Sequence, residues 1–582
     1  MASDRVIPTP APSDLPTMKI LIGGSELNNA YQVVSVDVSK SFNKMSGAKI
    51  VVIDGDPAKE DFEISNTDDF KPGNEIEVQA GYHSSNETIF KGIIIKHGLK
   101  VRKFKPSLLI IEAKDKAVKM TVGRKSLIYY NSKDSEIIEE IIGNYSLEKD
   151  VEATNLQHKE MVQNYSTDWD FLVSRAEMNG KLALADDGKL IVKKPDTGSS
   201  PVLTLVYGST MMEFEAEMDS RTQLKSVKSH SWNYKDQEFI EAEASDPGVT
   251  ENGNISSSDL SKVIGLSEYT LKHSGNVEDT ELKSWADAKN LKSKLARIKG
   301  RVKFQGFTGV KPGNMIELKG VGERFNGNVF VSGVRHQINP ENWETDVQFG
   351  LSDQWFYKNK DIVDNPAAGL VPNIYGLQIG TATQLEEDPD GENRVLVKIP
   401  IIDNQNNGLW ARVATLDAGE NRGSFFLPEI GDEVIVGFVN DDPRDPVILG
   451  MLNSSAKPAP LVAEDANNEK GFVTRSEMKM IFNDGKKSIA IETPAGKKVT
   501  IDEDAGVITI EDENGNKAEF SSGGITIESA ADLIMKAAGD VKIEGTNITV
   551  SANAQFKAEG SAGAEMSTGA SAVVKGSVVQ IN

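Results

Sequence analysis

Six histidines, His83, His97, His158, His230, His273 and His336, and one acidic trio, Asp168, Asp170 and Glu177, are the side chains best suited by type to do chemistry. A metal site needs imidazoles or carboxylates at short fixed spacing, and a triad needs a histidine beside a nucleophile. No pair of these histidines has such spacing, so each reads as a strand or loop residue. The trio lies in "STDWDFLVSRAEMNGKLAL" (166–184). Thr167 and Asp170 have capping-box spacing there, and the acids read as a cap plus a solvated helix face, not a catalytic pair. No nucleophile elbow, phosphate loop or dinucleotide fingerprint occurs. "GDVKIEG" (539–545) and "GSAGAEMSTGA" (560–570) are corners of a repeat. The expectation is a non-enzyme with no metal and no cofactor.

The elements that must position such residues are mostly strands. From Lys19 to about residue 120, short β-type runs alternate with turns. Ile137, Ile138, Ile141 and Ile142 then fall at helical spacing, and Gly143 can end that helix. In the next helix Trp169, Leu172, Val173 and Ala176 share a face, with Gly180 as its stop. Strands return over about 182–245, followed by a loose stretch, "SDPGVTENGNISSSDL". A third helix is expected over about 279–299, with Leu282, Trp285, Ala288, Leu291 and Leu295 on one side and Gly300 at its end. Strands then run to about 355. "KPGN" occurs at Lys71 and again at Lys311, and "PEIGDEVIVGF" (428–438) is a variant. Each is a turn feeding an alternating strand, so related small barrels recur.

The expected domains are a flexible arm (1–18), a region of two related β-barrels (19–356; barrels at about 19–120 and 200–355), a linker (357–373), a five-stranded OB-type barrel (374–453), a second linker (454–475) and a terminal repeat (476–582). The formal charge of −23 opposes nucleic acid and anionic lipid. The acidic "EEDPDGE" and "DDPRD" make the same point for the OB-type barrel. The amino terminus has no signal-like apolar core, and no run is long enough to span a bilayer.

The terminal repeat places apolar pairs every seven or eight residues: Ile525/Ile527, Leu533/Met535, Val541/Ile543, Ile548/Val550, Phe556/Ala558, Ala564/Met566, Ala572/Val574 and Val579/Ile581. Residues i and i+2 of a strand share a face. One strand and one corner cannot enclose a core. A single chain coiled three units per turn would make a short, thin β-helix. Three chains wound together would make a long prism closed by three-fold symmetry, which is the preferred reading. The calcium-binding nonapeptide pattern is missing.

Three stretches resemble a known family. "DWDFLVSRAEMNG" (168–180) resembles the helix signature of contractile-tail hub proteins. "FVSGVRHQINPENWETDVQFGLS" (330–352) resembles the closing strands of the second hub barrel. "LWARVATLDAGENRGSFFLPEIGDEVIVGFVNDDPRDPVILGML" (409–452) is similar to the OB signature of VgrG spikes. The resemblance implies a mainly β fold with minor α: tandem hub barrels, an OB barrel and an intertwined trimeric β-helix needle. It implies a homotrimeric hub-spike of a contractile injection machine, made in the bacterial cytoplasm without a signal peptide and delivered or released outside the cell. Its partners would be a tip protein of the proline-alanine-alanine-arginine (PAAR) class, the inner tube protein, baseplate proteins and effector cargo, with no stable membrane insertion. The trimer core would be Ile525, Ile527, Leu533, Met535, Val541, Ile543, Ile548, Val550, Phe556, Met566 and Val574. Val578, Val579, Gln580, Ile581 and Asn582 would seat the tip protein. The chain ends at "VVKGSVVQIN", leaving no room for a toxin domain. His336 is its last histidine, so no iron-binding His-x-His closes the needle. The alternatives are a β-helix polysaccharide-degrading enzyme and a trimeric surface adhesin.

Overall fold

The computed structural model describes residues 15–359, 361–405 and 408–581. Two compact units are present: Met1–Ile374 with Asn440–Pro443, and Tyr375–Val439 with Arg444–Asn582. Strands dominate both, and helices are few. The expected arm falls largely outside the described residues. Its last part is already structured, because Pro16–Ile22 pairs antiparallel with Glu75–Tyr82.

The first unit is organised by one 13-stranded sheet. Alternation along Val33–Ser41 and Gly47–Ile53 sends Val36, Val38, Ile50 and Val52 into one apolar core with Phe90, Leu109 and Ile111. The same alternation sends Val302, Phe304, Val331, Val347 and Phe349 into a second core. The two barrel-forming regions are not separate barrels: Val33–Ser41 pairs with Gly327–Ile338, from Gly333 opposite Ser41 to Ile338 opposite Val36. Unpaired backbone edges are costly, and this pairing satisfies two of them with each other.

The "KPGN" echo is a real structural repeat. In the first turn Gly73 has φ +103°, Asn74 N donates to Lys71 O at 3.1 Å, Gly73 N donates to Ile94 O and Ile94 N to Asn74 O. The second repeats every bond: Gly313 at φ +95°, Asn314 N to Lys311 O, Gly313 N to Val331 O, Val331 N to Asn314 O. Gly431, at φ +89°, does the same with Glu429, Ala382 and Asp432. Glycine is required at this left-handed position.

Helix α1 spans Asp134–Gly143 and buries its four isoleucines. Helix α2 spans Asp168–Met178; Thr167 Oγ1 accepts from Asp170 N at 3.1 Å, and Gly180 follows at φ +67°. The expected solvated acidic face is corrected here. Asp168 and Glu177 are buried. Asp168 accepts from Lys125 Nζ at 2.6 Å, Tyr145 Oη at 2.7 Å and Gln163 Nε2 at 2.9 Å. Glu177 accepts from Lys292 Nζ at 2.5 Å and Phe356 N at 2.6 Å. Buried carboxylates persist only with such partners.

Helix α3, Ser257–Ile264, occupies part of the stretch read as loose. Helix α4 spans Asp279–Leu295, and the chain turns at Ala296 into the strand Ile298–Gln305. Gly300 is therefore a strand residue and not a helix stop. A Cβ there would lie 2.2 Å from Glu215 O, so the glycine permits close strand approach.

In the second unit Gln378–Gln384, Val395–Lys398, Leu409–Val413, Glu433–Phe438 and Pro446–Met451 close into a five-stranded barrel around Ala382, Val395, Val397, Ala411, Val434, Val436 and Ile448. The next strands begin at Glu469, inside the expected second linker.

Candidate assembly interface

Seven five-residue strands follow the barrel: Glu469–Val473, Lys479–Asn483, Ser488–Glu492, Lys498–Asp502, Val507–Glu511, Lys517–Ser521 and Gly524–Glu528. They form one antiparallel meander, and among the described residues no other strand joins it. Register carries two unbroken apolar rows across it. One runs Phe472, Met480, Ile491, Val499, Ile510, Ala518, Ile527. The other runs Phe482, Ile489, Ile501, Ile508, Phe520, Ile525. Both rows lie on the same face, because their members are two residues apart within each strand.

The opposite face is mostly polar, with Ile481, Ala490 and Val507 among its apolar members. Lys479, Glu492, Lys498, Glu511, Lys517 and Glu528 stand in register there with alternating sign. Opposite charges across neighbouring strands stabilise a sheet exposed to water. Most of the apolar face is uncovered: Ile491 is 49% exposed and Ile510 51%, while Phe472 at its base has Phe426 stacked on it. Covering a large apolar side chain contributes about 1.5–3 kcal/mol. A lone sheet with one bare face forgoes that term at each position of both rows.

Beyond Glu528 the described residues form no strand pairing. Of the expected core residues, the structure brings Ile525 and Ile527 into the meander, opposite Phe520 and Ala518. Leu533, Met535, Val541, Ile543, Ile548, Val550, Phe556, Met566 and Val574 are exposed and are not brought together. Val578, Val579 and Ile581 are exposed too, Ile581 at 90%, as is Gln580. Asn582 lies outside the described residues. The apolar positions of the meander from Phe472 to Phe520 form a row-bearing face that the sequence reading did not single out. Their signal was available in sequence as period-two alternation, in "GFVTRSEMKMIF" for example.

At the base of the meander Phe426, from the barrel loop, stacks on Phe472 with ring centroids 5.5 Å apart. Arg475 pairs with Glu429 at 2.6 Å. Leu416, Phe425 and Ile430 on the same loop are exposed.

The histidines and the acidic trio serve the fold. His97, His158, His230, His273 and His336 lie in strands, and His83 lies in a tight turn at φ +52°. Burial pushes the fully enclosed His336 imidazole down to about 3, and its Nδ1 lies 3.1 Å from Thr345 Oγ1. His158 Nε2 sits 3.1 Å from Asp134 Oδ2. Burial alone would raise the Asp134 carboxyl. His158, Arg175 and Asn179 instead hold it well below the usual carboxylate range. Asp168 behaves alike: hydrogen bonds from Lys125, Gln163 and Tyr145 outweigh its burial. Among the described residues no group of three or more histidines and carboxylates could hold a metal ion, and no helix is long and apolar enough to cross a membrane.

Residues 12–340 match the family described as the Alg8 N-terminal domain. Residues 378–452 match the type VI secretion system/phage-baseplate injector OB domain, which coincides with the closed barrel. The type VI secretion system spike protein VgrG1a of Pseudomonas aeruginosa is 28% identical over 30% of this chain and 29% of its own length. The spike protein VgrG3 of Vibrio cholerae is 29% identical over 22% of this chain and 13% of its own. The matched stretches thus span less than a third of these curated relatives. Among solved structures, the 43 kDa tail protein of prophage MuSo2 from Shewanella oneidensis is similar over 58% of this chain and 99% of that chain, at 11% identity and TM-score 0.44. The Alg8 N-terminal domain model fills more than half of the chain, which therefore belongs to that family, and the similarity to several VgrG spike proteins together with the injector OB domain marks it as a VgrG family protein.

Proposed function

We propose that this chain is the homotrimeric hub-spike of a contractile injection machine. The observation that carries the reading is the pair of uncovered apolar rows from Phe472 to Ile527. A sheet with one apolar and one charge-laddered face is built to lay the first against copies of itself. Three such sheets enclose a dry prism with the Lys/Glu ladders outside. The octad pairs from Leu533 to Val574 extend the prism as a β-helical needle, each rung completed by two sister chains. The recurrent turns at Gly73 and Gly313 support a hub of two related barrel-like lobes per chain, six in the trimer.

In this reading the hub meets the inner tube protein and baseplate proteins. The exposed Val578–Ile581 stretch seats a PAAR-class tip protein, and effector cargo travels with the assembly. The role is structural. Acidity opposes nucleic-acid binding and electrostatic insertion into anionic membranes, so penetration is mechanical. The product is made in the cytoplasm and acts outside it.

Native mass measurement of the purified chain tests this. Three copies at every dilution is the expected result. A folded monomer with residues 529–581 protected from protease would overturn it. Deleting residues from Val578 onward should abolish tip-protein binding and leave three copies per particle.

A further inference from the structure

The 13-stranded sheet has a second face, opposite its two apolar cores, and that face is a ladder of charge. Eight successive strands take part. Glu213, Glu215 and Glu217 stand on the first strand, Met211–Met218. Lys299, Arg301 and Lys303 follow, then Glu344 and Asp346, then Arg335. Asp37 comes next, then Lys49, then Glu112, and finally Lys96 and Lys100 on the last strand, Ser85–Arg102. The sign changes at every step. Contacts mark it: Lys303 Nζ to Glu213 at 2.9 Å, Arg301 to Asp346 at 3.3 Å, Arg335 Nε to Asp37 at 2.9 Å and Lys96 to Glu112 at 3.1 Å. Lys114 on the Lys105–Lys114 strand is out of step, as are Lys105 on that strand, Lys40 on Val33–Ser41 and Glu87 in the part of Ser85–Arg102 that pairs with Glu75–Tyr82.

The ladder ends in two free edges. Among the described residues Met211–Met218 pairs only with Ile298–Gln305. Ser85–Arg102 pairs with Glu75–Tyr82 as far as Ile93 and with Lys105–Lys114 beyond it. Among the described residues no strand takes the other side of residues 95–102. Both free edges are eight residues long, one lined by glutamates and the other by lysines. The basic edge continues into Arg102, Lys103 and Lys105 beside the exposed Phe104. No acid occurs between Glu87 and Glu112 in this otherwise acidic chain.

We propose that the acidic edge at Met211–Met218 pairs with the basic edge at residues 95–102 of a second copy, head to tail. The pairing rests on the self-assembly proposed above and names its strands. Two features select it. The ladder spans an even number of strands, all antiparallel to their neighbours, so a second copy's acidic edge arrives antiparallel to the basic one. The alternation of sign also continues unbroken across the seam. Like edges would set Glu against Glu or Lys against Lys, which is destabilising. Exposed edges guarded by a single sign reject their own kind and accept the opposite one.

Disulfide trapping tests the seam. The chain contains no cysteine, so the background is clean. Gly98 and Glu215 lie near the centres of the two edges on the charged face, and a side chain at Gly98 meets only Ile110 O at 3.8 Å. The full chain carrying G98C and E215C should oxidise to covalently joined trimers, and neither single variant should. Adding K96E and K100E should abolish the link. A link in either single variant overturns the pairing. So does a double variant that stays unlinked while its native mass remains that of a trimer, and the spike reading then stands. A monomeric mass overturns both.

Discussion

Arg175 grips Asp134 with two hydrogen bonds, Nε to Oδ1 at 2.6 Å and Nη2 to Oδ2 at 2.9 Å, and so locks α2 to α1. Asn179 and His158 complete the shell of Asp134. Removing one member of a buried ion pair strands the other. Arg175→Ala should therefore destabilise the first unit by about 3–5 kcal/mol. Replacing Arg175 and Asp134 together by Met and Leu should cost much less. Chemical denaturation of the three proteins checks the order.

His336 sets an acid limit. Its folded value is pushed down to about 3, whereas an unfolded histidine titrates near ~6.5. The unfolded chain then binds the extra proton at pH values between the two. The stability that His336 contributes is complete above pH ~6.5 and is lost as pH falls toward 3. Melting temperatures of the native protein should drop over this window, and His336→Gln should flatten the drop.

The two faces of the meander make opposite demands. Ile510→Asp places a carboxylate in the proposed dry interior and should abolish trimer formation. Thr526→Asp, on the polar face, should leave the mass unchanged. Native mass spectrometry separates the two outcomes; equal effects from both variants would mean the apolar rows are not the interface.

The three repeated turns should share one energetic cost. Gly73 has no heavy atom within 4 Å of a would-be Cβ, so Gly73→Ala tests backbone conformation alone. Its φ of +103° should make the change cost about 1 kcal/mol or more. Gly313→Ala and Gly431→Ala should match it by denaturant titration.

Local signals in the sequence translated well. The isoleucine spacing of α1, the Thr167–Asp170 cap and the stop at Gly180 all depend on neighbours within a few residues, and so does the "KPGN" turn. Partners distant in the chain were not legible. Asp168 and Glu177 look like surface acids until Lys125 and Lys292 arrive beside them, the latter from 115 residues away. The union of the two lobes depends on Val33–Ser41 meeting Gly327–Ile338, which no local pattern announces. Helix α3 was a readable miss: Ser256 caps Asp259 N, and Gly265 follows at φ +71°. The stretch from Ser476 to about residue 524 reads in sequence as strands broken by glycine turns, which matches five strands of the meander but not their common face, and the first strand, Glu469–Val473, reads as linker. That face emerges only when register aligns every second residue across neighbours.

The charged residues of the meander also have work to do before any partner arrives. Glu469, Lys479, Glu492, Lys498, Asp502, Glu511, Lys517 and Glu528 stand at the ends of its strands. A nascent chain bearing these short, β-prone segments is at risk of amyloid-like stacking while it waits on the ribosome's schedule. Gatekeepers at the segment ends keep such stacks in check by mutual repulsion. The charged ladder on the polar face of the meander thus doubles as protection for the newborn chain.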